Sequence, residues 1–159
     1  MLSYIQGDVT SINTPVIIAH CVNNIGHWGR GFSGVLSKKW KNVETEYRLW
    51  HSNGVHPEDG RFGLGRVLFS VAYDCGPTVA SMVAQAGTID NPRGWLPPIR
   101  YGALTCAMTR VAKYARDSKM SICCPRFGCG LAGGQWAVVE NMIKELWSDI
   151  DVTVYESPI

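Results

Sequence analysis

Two apolar runs, Val16–Val22 and Met120–Cys124, each lead directly into a glycine-rich stretch, and each stretch leads on to a helical pattern. No other feature narrows the fold as far. A nearly continuous apolar run suits a strand covered on both faces. Helices on both faces of such strands give an α/β architecture. In that architecture, ligands sit in the crevice outside the carboxyl ends of the strands. Both glycine stretches leave carboxyl ends, so two backbone loops are expected to converge on one crevice. Seventeen of the 159 residues are glycine, clustered at 26–34, 54–65 and 128–134.

The remaining elements read in order. Leu2–Gln6 is a first strand. Ser33–Trp40 and Asn42–Ser52 are helices, the second with Val43, Tyr47 and Trp50 on one face. Arg66–Tyr73 and Thr78–Gln85 form a strand pair turned at Asp74-Cys75-Gly76-Pro77. Thr88–Pro97 is loop. Pro98 opens a helix that runs to about Asp117 and buries Leu104, Ala107, Met108, Val111, Ala112 and Ala115. The last helix turns Trp136, Val139, Ile143, Leu146 and Trp147 inward, and Asp151–Tyr155 is the last strand. The expected class is α/β, a mixed sheet with helices on both faces, as one domain over residues 1–159.

Composition excludes several classes. At 46% hydrophobic and 18% charged residues, the chain is not of the disordered type. A net charge of +2 is no nucleic-acid footprint by itself, and the densest basic stretch is Lys38-Lys39-Trp40-Lys41. No apolar run approaches the ~20 residues of a membrane helix. The first residues carry no signal-peptide pattern, so a cytoplasmic, monomeric protein without membrane partner is expected. Six cysteines without a C-x-x-C pair and four histidines without zinc spacing point to a reduced protein with no metal and no cofactor.

Three segments carry candidate chemistry. In Cys21-Val22-Asn23, then Trp28-Gly29-Arg30-Gly31-Phe32, the glycines uncover backbone N–H groups beside a helix N-terminus, which together can hold an anion. Asn23 offers hydrogen bonds to sugar hydroxyls, or is simply good turn chemistry. Arg126-Phe127-Gly128-Cys129-Gly130-Leu131-Ala132-Gly133 repeats the strand, glycine loop, helix arrangement. It fits the Gly-x-Gly-x-x-Gly expression without the second nucleotide half of a dinucleotide fold. Asp8, followed by Val9, either accepts from an exocyclic amine or caps a turn. Trp28 and Trp95 lie in loops and are candidates for covering a ligand, whereas Trp40, Trp50, Trp136 and Trp147 fall on helical core stripes.

With these residues in view the chain resembles a macrodomain. Gly7-Asp8-Val9, Ala19-His20-Cys21-Val22-Asn23, Trp28-Gly29-Arg30-Gly31, Pro125 to Leu131, Trp136 and Thr153-Val154-Tyr155 occur in the family's order over essentially the whole chain. The branch is the one containing terminal ADP-ribose protein glycohydrolase, the antitoxins that reverse DNA ADP-ribosylation and the yeast ADP-ribose 1''-phosphate phosphatase. The resemblance implies a three-layer α/β/α macrodomain-like fold. It implies that Asp8 holds the adenine amine beside Val9 N–H, that Tyr155 lies against the adenine and that Asn23 meets the distal ribose. Gly29 to Phe32 and Gly128 to Gly133 would be the two phosphate loops.

The chain departs from the glycohydrolases of that branch. Their lysine nucleophile is missing from Ser81-Met82-Val83-Ala84-Gln85, no lysine lies between Lys41 and Lys113, and their phosphate-loop aspartate is Ala132 here. His20 is then the catalytic candidate, a general acid or base near neutral pH, or else a buried histidine holding a loop. Cys129 stands near a helix N-terminus, which would lower its pKa, but it reads as structural. Three functions stay open. The first is dephosphorylation of ADP-ribose 1''-phosphate, the second a non-catalytic ADP-ribose reader, and the third a de-ADP-ribosylating hydrolase using activated water. The implied partners are ADP-ribose or a derivative, and ADP-ribosylated protein or nucleic acid.

Overall fold

The computed structural model describes residues 1–157. Five strands are mutually parallel: β1 (Leu2–Gln6), β2 (Ile17–Asn23), β6 (Thr78–Gln85), β7 (Ile122–Cys124) and β8 (Val152–Glu156). One edge strand, β5 (Val67–Val71), runs antiparallel to β6. The spatial order is β1-β8-β7-β2-β6-β5. The expected mixed sheet is therefore present. A separate small hairpin, β3 (Val55–His56) with β4 (Gly60–Arg61), uses the middle glycine cluster and was not anticipated.

Four helices cover the two faces: α1 (Phe32–Lys39), α2 (Lys41–Asn53), α3 (Tyr101–Ser118) and α4 (Trp136–Leu146). Alternation along the apolar strands divides the core. Ile17 and Ala19 of β2, with Ala80, Met82 and Ala84 of β6, face α3 and α4, whose Leu104, Met108, Val139 and Ile143 meet them. Ile18 and Val79 face Leu36, Trp40 and Val43. Val22 and Val83 face Tyr47 and Trp50. Each side chain of a central strand thus goes to one helical layer or the other, which is why these strands read as unbroken apolar runs.

One boundary differs from expectation. The third helix starts at Tyr101, not at Pro98. Ile99 bridges Gln85, Ile99 N–H donates to Ala132 O at 3.0 Å and Arg100 N–H to Ala84 O at 2.8 Å. Residues 98–100 therefore serve as an extra extended segment beside β6 and tie it to the second glycine loop. Trp136 also departs from its stripe. It is only partly buried, and its indole donates to Tyr4 Oη at 3.0 Å while Trp40, Trp50 and Trp147 are in the core. No helix among the described residues is long and apolar enough to cross a membrane.

Candidate functional site

A crevice of about 470 Å³ opens at the carboxyl ends of β2, β6 and β7. Its lining takes in His20, Cys21, Val22, Asn23, Trp28, Gly29, Arg30, Gly31, Phe32, Arg126, Phe127, Gly128, Gly130, Leu131 and Ala132. Asp8, Val9, Cys129, Gly133 and Tyr155 lie outside this lining. Sequence reasoning missed a third wall. Gln85 and Thr88 to Asn91 add to the lining beside the first loop, together with His27 and Ser33. The only signal for that wall was the Pro- and Gly-containing composition of 88–97, which marks a loop and not its destination.

Both glycine loops offer free donors. The N–H groups of residues 29–34, and of residues 129–132, donate to no protein acceptor among the described residues. Gly29, Arg30, Gly31, Gly130 and Leu131 are exposed, and residues 32–34 form the first turn of α1, whose N–H groups have no partner within the helix, so these donors are open to solvent or to an anion. The second loop is folded back on itself by Gly133 N–H to Gly130 O at 3.1 Å and Gly134 N–H to Gly128 O at 2.8 Å. Gly31 and Gly128 sit at φ 73° and 76°, which favours glycine.

His20 lies in the inner wall of the crevice and is nearly fully buried. It is 2% exposed, and its Nε2 lies 2.8 Å from the Ser81 hydroxyl and its Nδ1 3.4 Å from that of Ser33. Burial pushes its pKa down to about 3. The ring is therefore neutral near pH 7, with each nitrogen within reach of a serine hydroxyl. Its position still matters. It pins the first turn of α1, next to the first loop, to β6.

The sign of that burial gives a testable pH dependence. Between pH 6.5 and about 3 the unfolded chain protonates this histidine and the folded chain does not. Stability is thus lost as pH falls below 6.5, by about 2 kcal/mol on going to pH 5. Denaturant titrations of wild type and His20→Gln at pH 7 and 5 check this. The wild type should lose more than the variant, and equal losses would place the titration elsewhere.

Asn23 is also committed. Its Oδ1 accepts from Ile25 N–H, His27 N–H and Tyr47 O–H, and its Nδ2 donates to His27 O. The side chain builds the first loop from inside, which leaves little of it for a sugar. Trp28 likewise donates to Ser33 O at 2.9 Å and packs edge-on against His20. Trp95 is fully exposed and does not line the crevice.

Burial raises the thiol pKa of Cys21 and Cys129, the two cysteines at the glycine loops. The Cys21 thiol is driven up by its surroundings, and Cys129 is raised by burial despite nearby Arg126, contrary to the lowering expected from a helix N-terminus. Cys129 Sγ donates to Phe127 O at 3.4 Å. Asp8 does cap the Val9–Ser11 3-10 turn: Oδ1 accepts from Thr10 N–H at 2.9 Å and Thr10 O–H at 2.7 Å, which holds its carboxyl below the usual range. Its other oxygen stays free on an exposed side chain. Tyr155, at the end of the neighbouring strand, lies against Gly7.

Two arginines frame the crevice with paired charges. Arg30 reaches Asp90 Oδ2 at 2.6 Å. Arg126 pairs with Glu156 and lies over the rings of Trp136 and Tyr4, at 5.4 Å and 5.9 Å. Among the described residues, no group of three or more His, Cys, Asp or Glu side chains could hold a metal ion.

Comparison with solved structures decides the family. A protein of unknown function from Bacteroides thetaiotaomicron is 42% identical, with a TM-score of 0.86 over 99% of this chain and 98% of that one. A macrodomain protein from Streptomyces coelicolor is 35% identical, with a TM-score of 0.78 over 98% and 99% of the two chains. The chain belongs to the macrodomain family. Curated relatives of this macrodomain include the ADP-ribose 1''-phosphate phosphatase of Candida albicans, 23% identical over 98% of this chain and 99% of that protein. A human ADP-ribose glycohydrolase is 25% identical over 97% and 90%. The macrodomain also matches a chromodomain-helicase-DNA-binding protein 1-like from Danio rerio at 30% identity, but spans only 14% of that protein's length. No family model matches the chain.

Proposed function

We propose that this macrodomain binds ADP-ribose along the carboxyl edge of its sheet and hydrolyses the phosphomonoester of ADP-ribose 1''-phosphate. The observation that carries the reading is the pair of facing glycine loops with unpaired N–H groups, one loop for each phosphate of a diphosphate. Asp8, Tyr155, Arg126, Asn23 and Gln85 stand at the ends of, or just beyond, β1, β8, β7, β2 and β6, which is their order in space. That row spans four inter-strand spacings, roughly 19 Å, and suits an elongated nucleotide. The adenine lies at the Asp8 and Tyr155 end, with the free Asp8 oxygen and Val9 N–H toward the base. The distal ribose lies by β2 and Gln85. The names of the curated relatives in Candida albicans and human support a hydrolase of ADP-ribose derivatives.

A second reading, a non-catalytic reader of ADP-ribosylated protein or nucleic acid, draws on three features. His20 is buried and hydrogen-bonded to serine hydroxyls, position 132 is alanine, and no lysine lines the crevice. Calorimetry with ADP-ribose and adenosine, then incubation with ADP-ribose 1''-phosphate, ADP-ribosylated protein and ADP-ribosylated DNA, separates the two. ADP-ribose should bind much more tightly than adenosine, because the phosphate loops form the centre of the site. Release of inorganic phosphate supports the hydrolase. Tight binding with turnover of none leaves the reader. No heat and no thermal shift with millimolar ADP-ribose would sink both, since a ligand of the folded state alone must raise stability.

A further inference from the structure

The side chains around the crevice are mostly spent on structure. His20 is buried in two hydrogen bonds, and the Cys21 thiol is held protonated by burial. Asp90 is different. It is the only carboxylate among the lining residues, and its side chain is 68% exposed. Its place is set by a tight turn: Gly87 bridges Pro92, and Thr88 and Asn91 exchange backbone hydrogen bonds at 3.0 and 3.2 Å. Gly87 N–H also donates to Asn24 Oδ1 at 2.9 Å, which fastens the turn to the first loop. Arg30, on that loop and 60 residues away in sequence, holds Asp90 Oδ2 through Nη2.

We infer that Asp90 is the general base of the hydrolysis, a catalytic carboxylate supplied from the turn after β6, since Ala132 of the second glycine loop offers none. Arg30 is the phosphate-binding partner of that base. An exposed ion pair contributes little to stability, so Arg30 can turn its free donors to an incoming phosphate while keeping Asp90 beside it. Asp90 Oδ1 then takes a proton from a water molecule, and the water oxygen bonds to phosphorus. The bond from phosphorus to the anomeric oxygen breaks, and that oxygen keeps the electron pair and takes up a proton from solvent. The products are ADP-ribose and inorganic phosphate.

The inference rests on the hydrolase reading, and the experiment keeps the two apart. Phosphate release from ADP-ribose 1''-phosphate is measured for wild type, Asp90→Asn, Asp90→Glu and Arg30→Ala, with ADP-ribose calorimetry on each. Asp90→Asn should lower kcat by at least about 100-fold and leave ADP-ribose affinity within about threefold. Asp90→Glu should keep part of the activity. Arg30→Ala should raise KM for the phosphorylated substrate by about tenfold while changing ADP-ribose affinity less. Wild-type kcat in Asp90→Asn would overturn the inference and leave the hydrolase reading standing. Loss of ADP-ribose binding in Asp90→Asn would also overturn it, by making Asp90 structural. An inactive wild type that still binds ADP-ribose would overturn the hydrolase reading, and this inference with it.

Discussion

Replacing Gly134 by alanine should cut ADP-ribose affinity by about 10- to 100-fold, while the same change at Gly102, an exposed position of α3 outside the crevice, leaves it nearly untouched. A methyl group on Gly134 would lie 2.3 Å from Gly128 O and 3.2 Å from its carbonyl carbon. That carbonyl is backbone, and it already accepts the Gly134 N–H that closes the second loop. It cannot swing aside as a flexible side chain would, so the loop has to open. Overpacking of this kind typically costs about 1–3 kcal/mol. Where the displaced backbone is the phosphate cradle, that cost appears as one to two decades in affinity. Gly102 is the control, because a methyl group there meets nothing within 4 Å and the residue does not line the crevice. Isothermal calorimetry on the two variants decides the matter. Equal affinities would mean that the second loop does not hold the phosphates.

Trp147→Ala should be the most damaging single change to stability. The side chain is 1% exposed, its indole donates to Met108 O at 2.8 Å, and its ring lies 5.7 Å from that of Phe127. It therefore joins the end of α4 to α3 and to the residue that precedes Gly128. Truncating a buried tryptophan typically costs about 3–5 kcal/mol. For a domain of this size that is a fall in Tm on the order of 10 °C. Thermal unfolding by circular dichroism checks it, and a shift of only a degree or two would show that the site collapses without loss. ADP-ribose should restore part of the lost Tm, because it binds only the folded state.

Much of the fold was legible because its signals are local. The apolar run at 16–22 alternates residue by residue between two helical layers, and a nearly continuous apolar run announces that two-sided burial. The helical stripe from Leu104 to Ala115 was legible for the same reason. The start of α3 was not. Pro98 is a good first helical residue, but Ile99 and Arg100 spend their N–H groups on Ala132 and Ala84, partners that only the folded chain brings near. The hairpin at 55–61 was missed because its two-residue strands are too short to show a period.

The site divides in the same way. The sequence by itself determined the two glycine loops, their attachment to buried strands, the missing lysine and the alanine at 132, because each is a matter of residue type and order. Only the tertiary structure decided what the polar side chains do. His20 met hydroxyls 13 and 61 residues away and lost its charge to burial. Asn23 turned inward to Tyr47, 24 residues on, and to its own loop. Asp90, unremarkable in a loop, was set across the crevice against Arg30. Solvation and pairing set a group's protonation state and its free hydrogen-bonding capacity, and both depend on neighbours distant along the chain.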